Sequence, residues 1–173
     1  MITIFEDFCN PISQDSYDKT LYSLPFHQLT CACGHSACLT IHGYYDRFLK
    51  SEAHSVRLHI CRVKCSYCNG THALLPSYIV PYSQVSLPDQ VDIISCYENA
   101  DNYSGIMDQT PSIDENCIRS IIRRYLLHWL QRILSASLSI TISLSFIRLC
   151  FSHFSRPFMQ VKRTPNILFL TPT

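Results

Sequence analysis

The chain of 173 residues has only four glycines, Gly34, Gly43, Gly70 and Gly105. None stands in the spacing of a phosphate-cradling loop or a nucleophile elbow. No carboxylate follows Glu115, and the earlier ones fall in predicted loops and helix starts. A catalytic domain that grips two metal ions through several carboxylates is therefore not expected, and the chain reads as non-enzymatic. Lys and Arg are missing from Leu87 to Cys117, and Asp and Glu from Ile118 to Thr173. The formal net charge is only +1, which argues against a protein that coats nucleic acid by bulk charge. Long oily runs are also lacking. From Ser135 to Ser145 nearly every second residue is hydroxylated. A membrane span, which wants ~20 mostly apolar residues, is not expected.

What the chain does have is cysteine, ten in all. Its first residues carry Glu6 and Asp7 where a secretory signal would carry positive charge. That places the protein in a reducing cytoplasm, where clustered cysteines more often mean metal than disulfides. Two clusters stand out, Cys31-Ala32-Cys33-Gly34 and Cys65-Ser66-Tyr67-Cys68-Asn69-Gly70. A structural zinc ion wants four ligands in a tetrahedron, and two tight turns offering two thiolates each would supply them. Cys31, Cys33, Cys65 and Cys68 are the expected Zn2+ ligands. The first pair is one residue short of the usual gap, so Cys38, His35 and Cys61 stand as substitutes. The plain alternative is a set of buried free thiols, and that is the reading for Cys9, Cys96, Cys117 and Cys150.

The expected fold class is α+β, a small β-rich zinc ribbon followed by a helical module. Residues 1–28 read as a loose leader with a short helix around Tyr17 to Tyr22. Residues 29–80 read as the ribbon, with strands at Leu39 to Tyr45, Val56 to Ile60 and Thr71 to Leu75. Residues 86–134 follow helical rules. Ser86-Leu87-Pro88-Asp89 opens a helix that buries Val91, Ile94 and Tyr97. A second helix spans Tyr103 to Gln109. A capping box at Ser112 and Glu115 opens a third, whose apolar face runs from Ile118 through Trp129 to Leu134. Residues 135–173 form an apolar and basic tail. Within it, 135–145 has the period of a strand, Ile147, Phe151, Phe154 and Phe158 fit a helix face, and 162–169 looks extended.

One family resemblance rests on particular residues. They are Cys31-x-Cys33-Gly34, then His42-Gly43-Tyr44-Tyr45-x-Arg47, then Arg62-Val63-Lys64-Cys65-x-x-Cys68, then Thr71-His72-Ala73-Leu74-Leu75-Pro76. This run resembles the N-terminal zinc finger of insertion-sequence transposases. It is more similar still to an uncharacterised bacterial family in which that finger precedes a helix-turn-helix. The resemblance covers about residues 29–134 and implies a DNA-binding role.

A helix-turn-helix places its second helix in the major groove. Asn116, Arg119, Ser120, Arg123 and Arg124 would then lie on or beside the reading face, where arginine can pair with guanine and asparagine with adenine. The bland alternative is a solvated helix face. Arg47, Lys50, Arg62 and Lys64 form a second basic set on the ribbon, suited to phosphates, which position a protein without reading sequence. His42 and His72 read as structural or hydrogen-bonding residues rather than metal ligands. DNA is thus the expected partner, as for a regulator or a mobile-element accessory or remnant. The competing class is a zinc-stabilised module that docks on proteins. Homo-oligomerisation through the C-terminal apolar region is compatible with either.

Overall fold

The computed structural model describes residues 1–5, 12–50, 55–99, 103–161 and 167–169. The chain is α+β and divides into two compact units. The first comprises Met1–Phe48, Arg57–Ser77 and the C-terminal segment that holds Ile167–Phe169. The second is built from Tyr78–Arg163 and takes in Leu49–Val56.

The first unit is organised by a mixed five-stranded sheet. Its strands are β1 (Ile2–Phe5), β2 (Leu39–Lys50), β3 (Ser55–Cys65), β4 (Thr71–Pro76) and β5 (Ile167–Phe169), in the order β2-β3-β4-β1-β5. β3 and β4 are antiparallel, with Val63 opposite His72. β1 runs parallel to both β4 and β5. The loose leader expected from the sequence is therefore a strand at its start. All four residues of β1 are buried. A run this short and apolar carries no periodic signal, and its conformation is decided by the strands on either side.

Helix α1 (Gln14–Ser23) follows, with Ser13 and Ser16 satisfying each other's backbone N–H groups as a capping box. Its buried Tyr17 ties two strands together. The hydroxyl donates to the Leu74 carbonyl at 3.1 Å and accepts from the Cys61 N–H at 2.8 Å.

The second unit is helical, with α2 (Leu87–Glu98), α3 (Tyr103–Gln109), α4 (Glu115–His128), α5 (Leu130–Ser135) and α6 (Leu144–Phe154). α2 starts at the Ser86 cap, with Pro88 in its first turn, and buries Val91 and Ile94, while Tyr97 is half-buried. α3 has the expected bounds. α4 begins later than expected. Asp114, not Ser112, is the N-cap, and its carboxylate accepts from the Cys117 N–H at 3.0 Å. Both residues are good cap formers, so local sequence left the choice to the fold.

The single long helix expected as far as Leu134 is interrupted at Trp129, whose φ/ψ of −125°/−38° ends α4 before α5 begins. The indole is fully buried, with the rings of Phe154 and Phe158 edge-on at 5.7 and 5.1 Å. Tertiary packing thus overrides the uninterrupted apolar stripe.

The strand expected over 135–145 does not form. Ser135 ends α5, Ser137 has a φ of 50°, and Ser143 caps α6 through the Phe146 N–H. The serines that imitate a β-alternation serve instead as turn and cap residues. α6 buries Phe146, Ile147 and Cys150. Phe146, Ile147, Cys150, Phe158 and Met159 of the apolar tail therefore join the core of this unit, while Ile142 and Leu149 are exposed. Of the stretch expected to be extended, 162–166 lies outside the described residues, and β5 accounts for its end. Among the described residues no helix is long and apolar enough to cross a membrane.

Candidate metal centre

Two turns build the site, both in the first unit. In the first, the Cys31 N–H donates to the His35 carbonyl and the Gly34 N–H donates back to the Cys31 carbonyl, each at 2.9 Å. Gly34 has a φ of +91°, a conformation side chains resist, so glycine is required where the loop doubles back. A bridge between Thr30 and Ser36 closes it.

The second turn links β3 to β4. Cys65 is the last residue of β3. Its N–H donates to the Gly70 carbonyl at 2.9 Å, and its carbonyl accepts from Asn69 N–H at 3.0 Å. The left-handed residue here is Asn69, with a φ of 57°, and not the glycine beside it. Asparagine tolerates that region. At Gly70 a Cβ would stand 3.2 Å from the Cys68 sulfur, which would have to give by a few tenths of an ångström. The Ser66 N–H donates to the Cys38 carbonyl at 2.9 Å and joins the two turns.

This backbone brings the sulfurs of Cys31, Cys33, Cys65 and Cys68 within 4.8 Å of one another. Cys31 and Cys68 are 3.5 Å apart, and Cys33 and Cys65 are 3.8 Å apart. A tetrahedral ion with sulfur at ~2.3 Å sets its ligands roughly 3.8 Å from each other. The four thiols match that size, so the cluster can hold a metal ion. Every described cysteine is a free thiol.

Backbone donors favour charge on the sulfurs. The Tyr67 N–H points at Cys65 and the Gly70 N–H at Cys68, both at 3.4 Å. The hydrogen bond from the Cys68 backbone does most to pull Cys65 down to about 6. The backbone and side chain of His35 lower Cys33. Burial pushes Cys31 up to about 12. A thiol that resists ionisation in an apolar setting gives up its proton to a metal more readily than to water.

The three substitutes occupy different places. Cys38 is buried, with its sulfur 3.4 Å from Cys65 and its S–H donating to the His35 carbonyl at 3.1 Å. It borders the cluster without belonging to it. His35 reaches Cys33 with Nδ1 at 3.4 Å, and its ring stacks on Tyr67. Cys61 lies away from the cluster, in a pocket of about 120 Å³ shared with Tyr22, Tyr44 and Asp18.

His72, read from sequence as a structural or hydrogen-bonding residue, sits at the site. Its Nε2 is 3.2 Å from the Cys31 sulfur and its Nδ1 is 2.9 Å from the Met1 nitrogen. The available signal was its position two residues past Gly70 at the head of β4, close behind the second turn.

Residues 30–124 match a family model described as a domain of unknown function, DUF6431. The chain belongs to the DUF6431 family. The matched segment contains all four clustered thiols and runs into α4. No curated protein and no solved structure matches the chain.

The residues expected to meet DNA are scattered through both units. On α4, Asn116, Arg119, Ser120 and Arg123 are exposed. Arg119 is held along its own helix by Glu115, with Nε 2.7 Å from the carboxylate. Arg124 is half-buried, and burial lowers its pKa. It belongs to the packed flank of the helix rather than its exposed face.

In the other set, Lys50 is paired with the α4 cap residue Asp114 at 2.8 Å. Arg62 is exposed and donates to the Thr71 hydroxyl at 3.3 Å. Arg47 and Lys64 are half-buried. Arg57, on the same ribbon, pairs with Asp46 and lies over the Phe48 ring, 5.6 Å from its centroid.

Proposed function

We propose that this is a zinc-stabilised, non-catalytic DNA-binding protein, related to the N-terminal regions of transposases and acting as a regulator or mobile-element accessory. The observation that carries the metal half is the convergence of four cysteine sulfurs at the spacing of one tetrahedral ion. Four thiolates in that array suit zinc or iron. Sulfurs this close enclose a single ion rather than a cluster of several irons, and zinc asks for no redox partner. Metal analysis of protein purified without added zinc tests this reading. One zinc per chain is the expected result, and a metal-free, fully folded chain would sink it.

The DNA half is supported by the resemblance of residues 29–134 and by the exposed Asn116, Arg119, Ser120 and Arg123 on α4. α3, the intervening turn and α4 follow the order of a helix-turn-helix, with α4 as the reading helix. The acidic Asp114 and Glu115 at its start cap the helix and complement its dipole. Arg119→Ala and Arg123→Ala are expected to weaken binding to duplex DNA and to flatten its salt dependence, by about one unit of slope for each phosphate no longer neutralised. A zinc-loaded chain that shifts no duplex at low salt rules this half out.

A second reading, docking on another copy of the chain, is favoured by Leu127 and Leu134, which are 65 % and 60 % exposed in the second unit. Sedimentation at several concentrations decides it, since a monomer throughout would exclude a homo-oligomer.

A further inference from the structure

As an ammonium group the Met1 nitrogen is a donor, and it lies 2.9 Å from Nδ1. Nδ1 must therefore accept, which means that it carries no proton. A neutral imidazole bears its one proton on the other nitrogen, so Nε2 is the N–H. That N–H lies 3.2 Å from the Cys31 sulfur. The opposite arrangement, a Cys31 S–H donating into Nε2, would put the proton on Nδ1 and set two donors against each other at the Met1 nitrogen.

The orientation is held from several sides. His72 is in β4, registered against Val63 of β3. β4 is paired on its other edge with β1, where Ile2 stands opposite Leu74. The strand that carries the Met1 nitrogen is thus fixed to the strand that carries His72. Cys31 itself is fully buried, without water to solvate a negative sulfur.

Four thiolates around one divalent ion carry a net charge of −2, and a buried sulfur in that group needs a donor. From this geometry we infer that His72 is a positioning residue of the metal centre. Its Nε2–H donates to the Cys31 thiolate, and the Met1 nitrogen fixes the tautomer that makes the donation possible. Ligand partners of this outer kind are worth roughly 10–100-fold in metal affinity. The inference rests on the metal reading above.

Zinc and cobalt titrations of the full chain, His72→Ala and His72→Gln test it. His72→Ala should bind zinc roughly 10–100-fold more weakly. Its sulfur-to-cobalt charge-transfer band should move to longer wavelength, because a thiolate stripped of its donor gives up an electron more easily. His72→Gln, whose amide N–H can reach the place of Nε2–H, should recover most of both effects. Unchanged affinity and band position in His72→Ala would overturn the inference, as would a His72→Gln variant no better than alanine on either measure. A wild-type cobalt spectrum of three sulfurs and one nitrogen, lost in both variants, would also overturn it, because His72 would then be a ligand. Nitrogen-15 spectra of the imidazole separate this question from the metal itself. If the chain binds neither zinc nor cobalt, the metal reading falls, and the ring still decides the hydrogen bond: protonated Nε2 upholds it and protonated Nδ1 refutes it.

Discussion

The cysteines around the centre are chemically alike but differ in placement. Cys33 is exposed and within the cluster, whereas Cys38 is buried, touches Cys65 and has its S–H engaged by the His35 carbonyl. Cys33→Ser is accordingly expected to lower metal content sharply, and Cys38→Ser to leave it near one ion per chain. Metal analysis of the two purified variants checks this, and the reverse ranking would exchange their roles. The sequence pointed to Cys65 and Cys68 because their two-residue gap is a standard turn spacing. It left Cys38, His35 and Cys61 as substitutes because a one-residue gap fits several loop closures. The two turns are joined by a long-range hydrogen bond, the Ser66 N–H on the Cys38 carbonyl, which no local spacing encodes. The place of His72 at the centre was hidden for the same reason. Its partners lie 41 and 71 positions away in the chain.

At the scale of elements, the helices whose signals are local were legible, and those set by packing were not. Ser86 and Pro88 mark the start of α2 directly. α4 offered two candidate caps, and the structure uses Asp114. Asp114→Ala is expected to cost about 1 kcal/mol, as loss of an N-cap does, and Ser112→Ala distinctly less. Urea unfolding of both variants measures the difference.

Asp114 also introduces a pH dependence. The Lys50 ammonium and the Cys117 N–H hold its carboxyl well below the usual carboxylate range. The folded form thus favours the ionised acid. Its contribution is present above the unfolded value of ~3.9 and fades as pH falls below it. Because the Lys50 and Asp114 side chains are 35 % and 46 % exposed, the ion pair itself is screened and contributes little. The expected observation is that the gap between wild type and Asp114→Ala narrows in acid, and a gap independent of pH from 7 to ~3 would contradict it. The misread strand over 135–145 teaches the complementary point. Alternating serine and aliphatic residues satisfy a period of two, yet serine is equally a cap and a turn residue, and here Ser137 turns the chain and Ser143 caps α6.

For the molecule as a whole, the shift in periodicity near Pro76 and Pro81, readable in the sequence, falls where Ser77 of the first unit gives way to Tyr78 of the second. The sheet's completion was not readable, because β1 and β5 are short and remote from the strands they join. In the first unit the two turns meet through the thiols, the His35–Tyr67 ring stack and the Ser66 N–H on the Cys38 carbonyl. Removing the metal with a chelator should therefore speed amide exchange in β3 and β4, which end and begin at the centre. α4 carries none of the four thiols and should lose less protection. Equal protection in β3 and β4 with and without chelator would show that the fold does not depend on the ion.

The first unit is interrupted in the chain by the second, and this has a consequence for biosynthesis. Both thiol-bearing turns are complete by Gly70, but β1 meets β5 only when residues 167–169 have left the ribosome. During that interval β1 has one open edge, a surface prone to mispairing. An ion captured early by the nascent turns would hold β3 and β4 in register while the last strand is still being made.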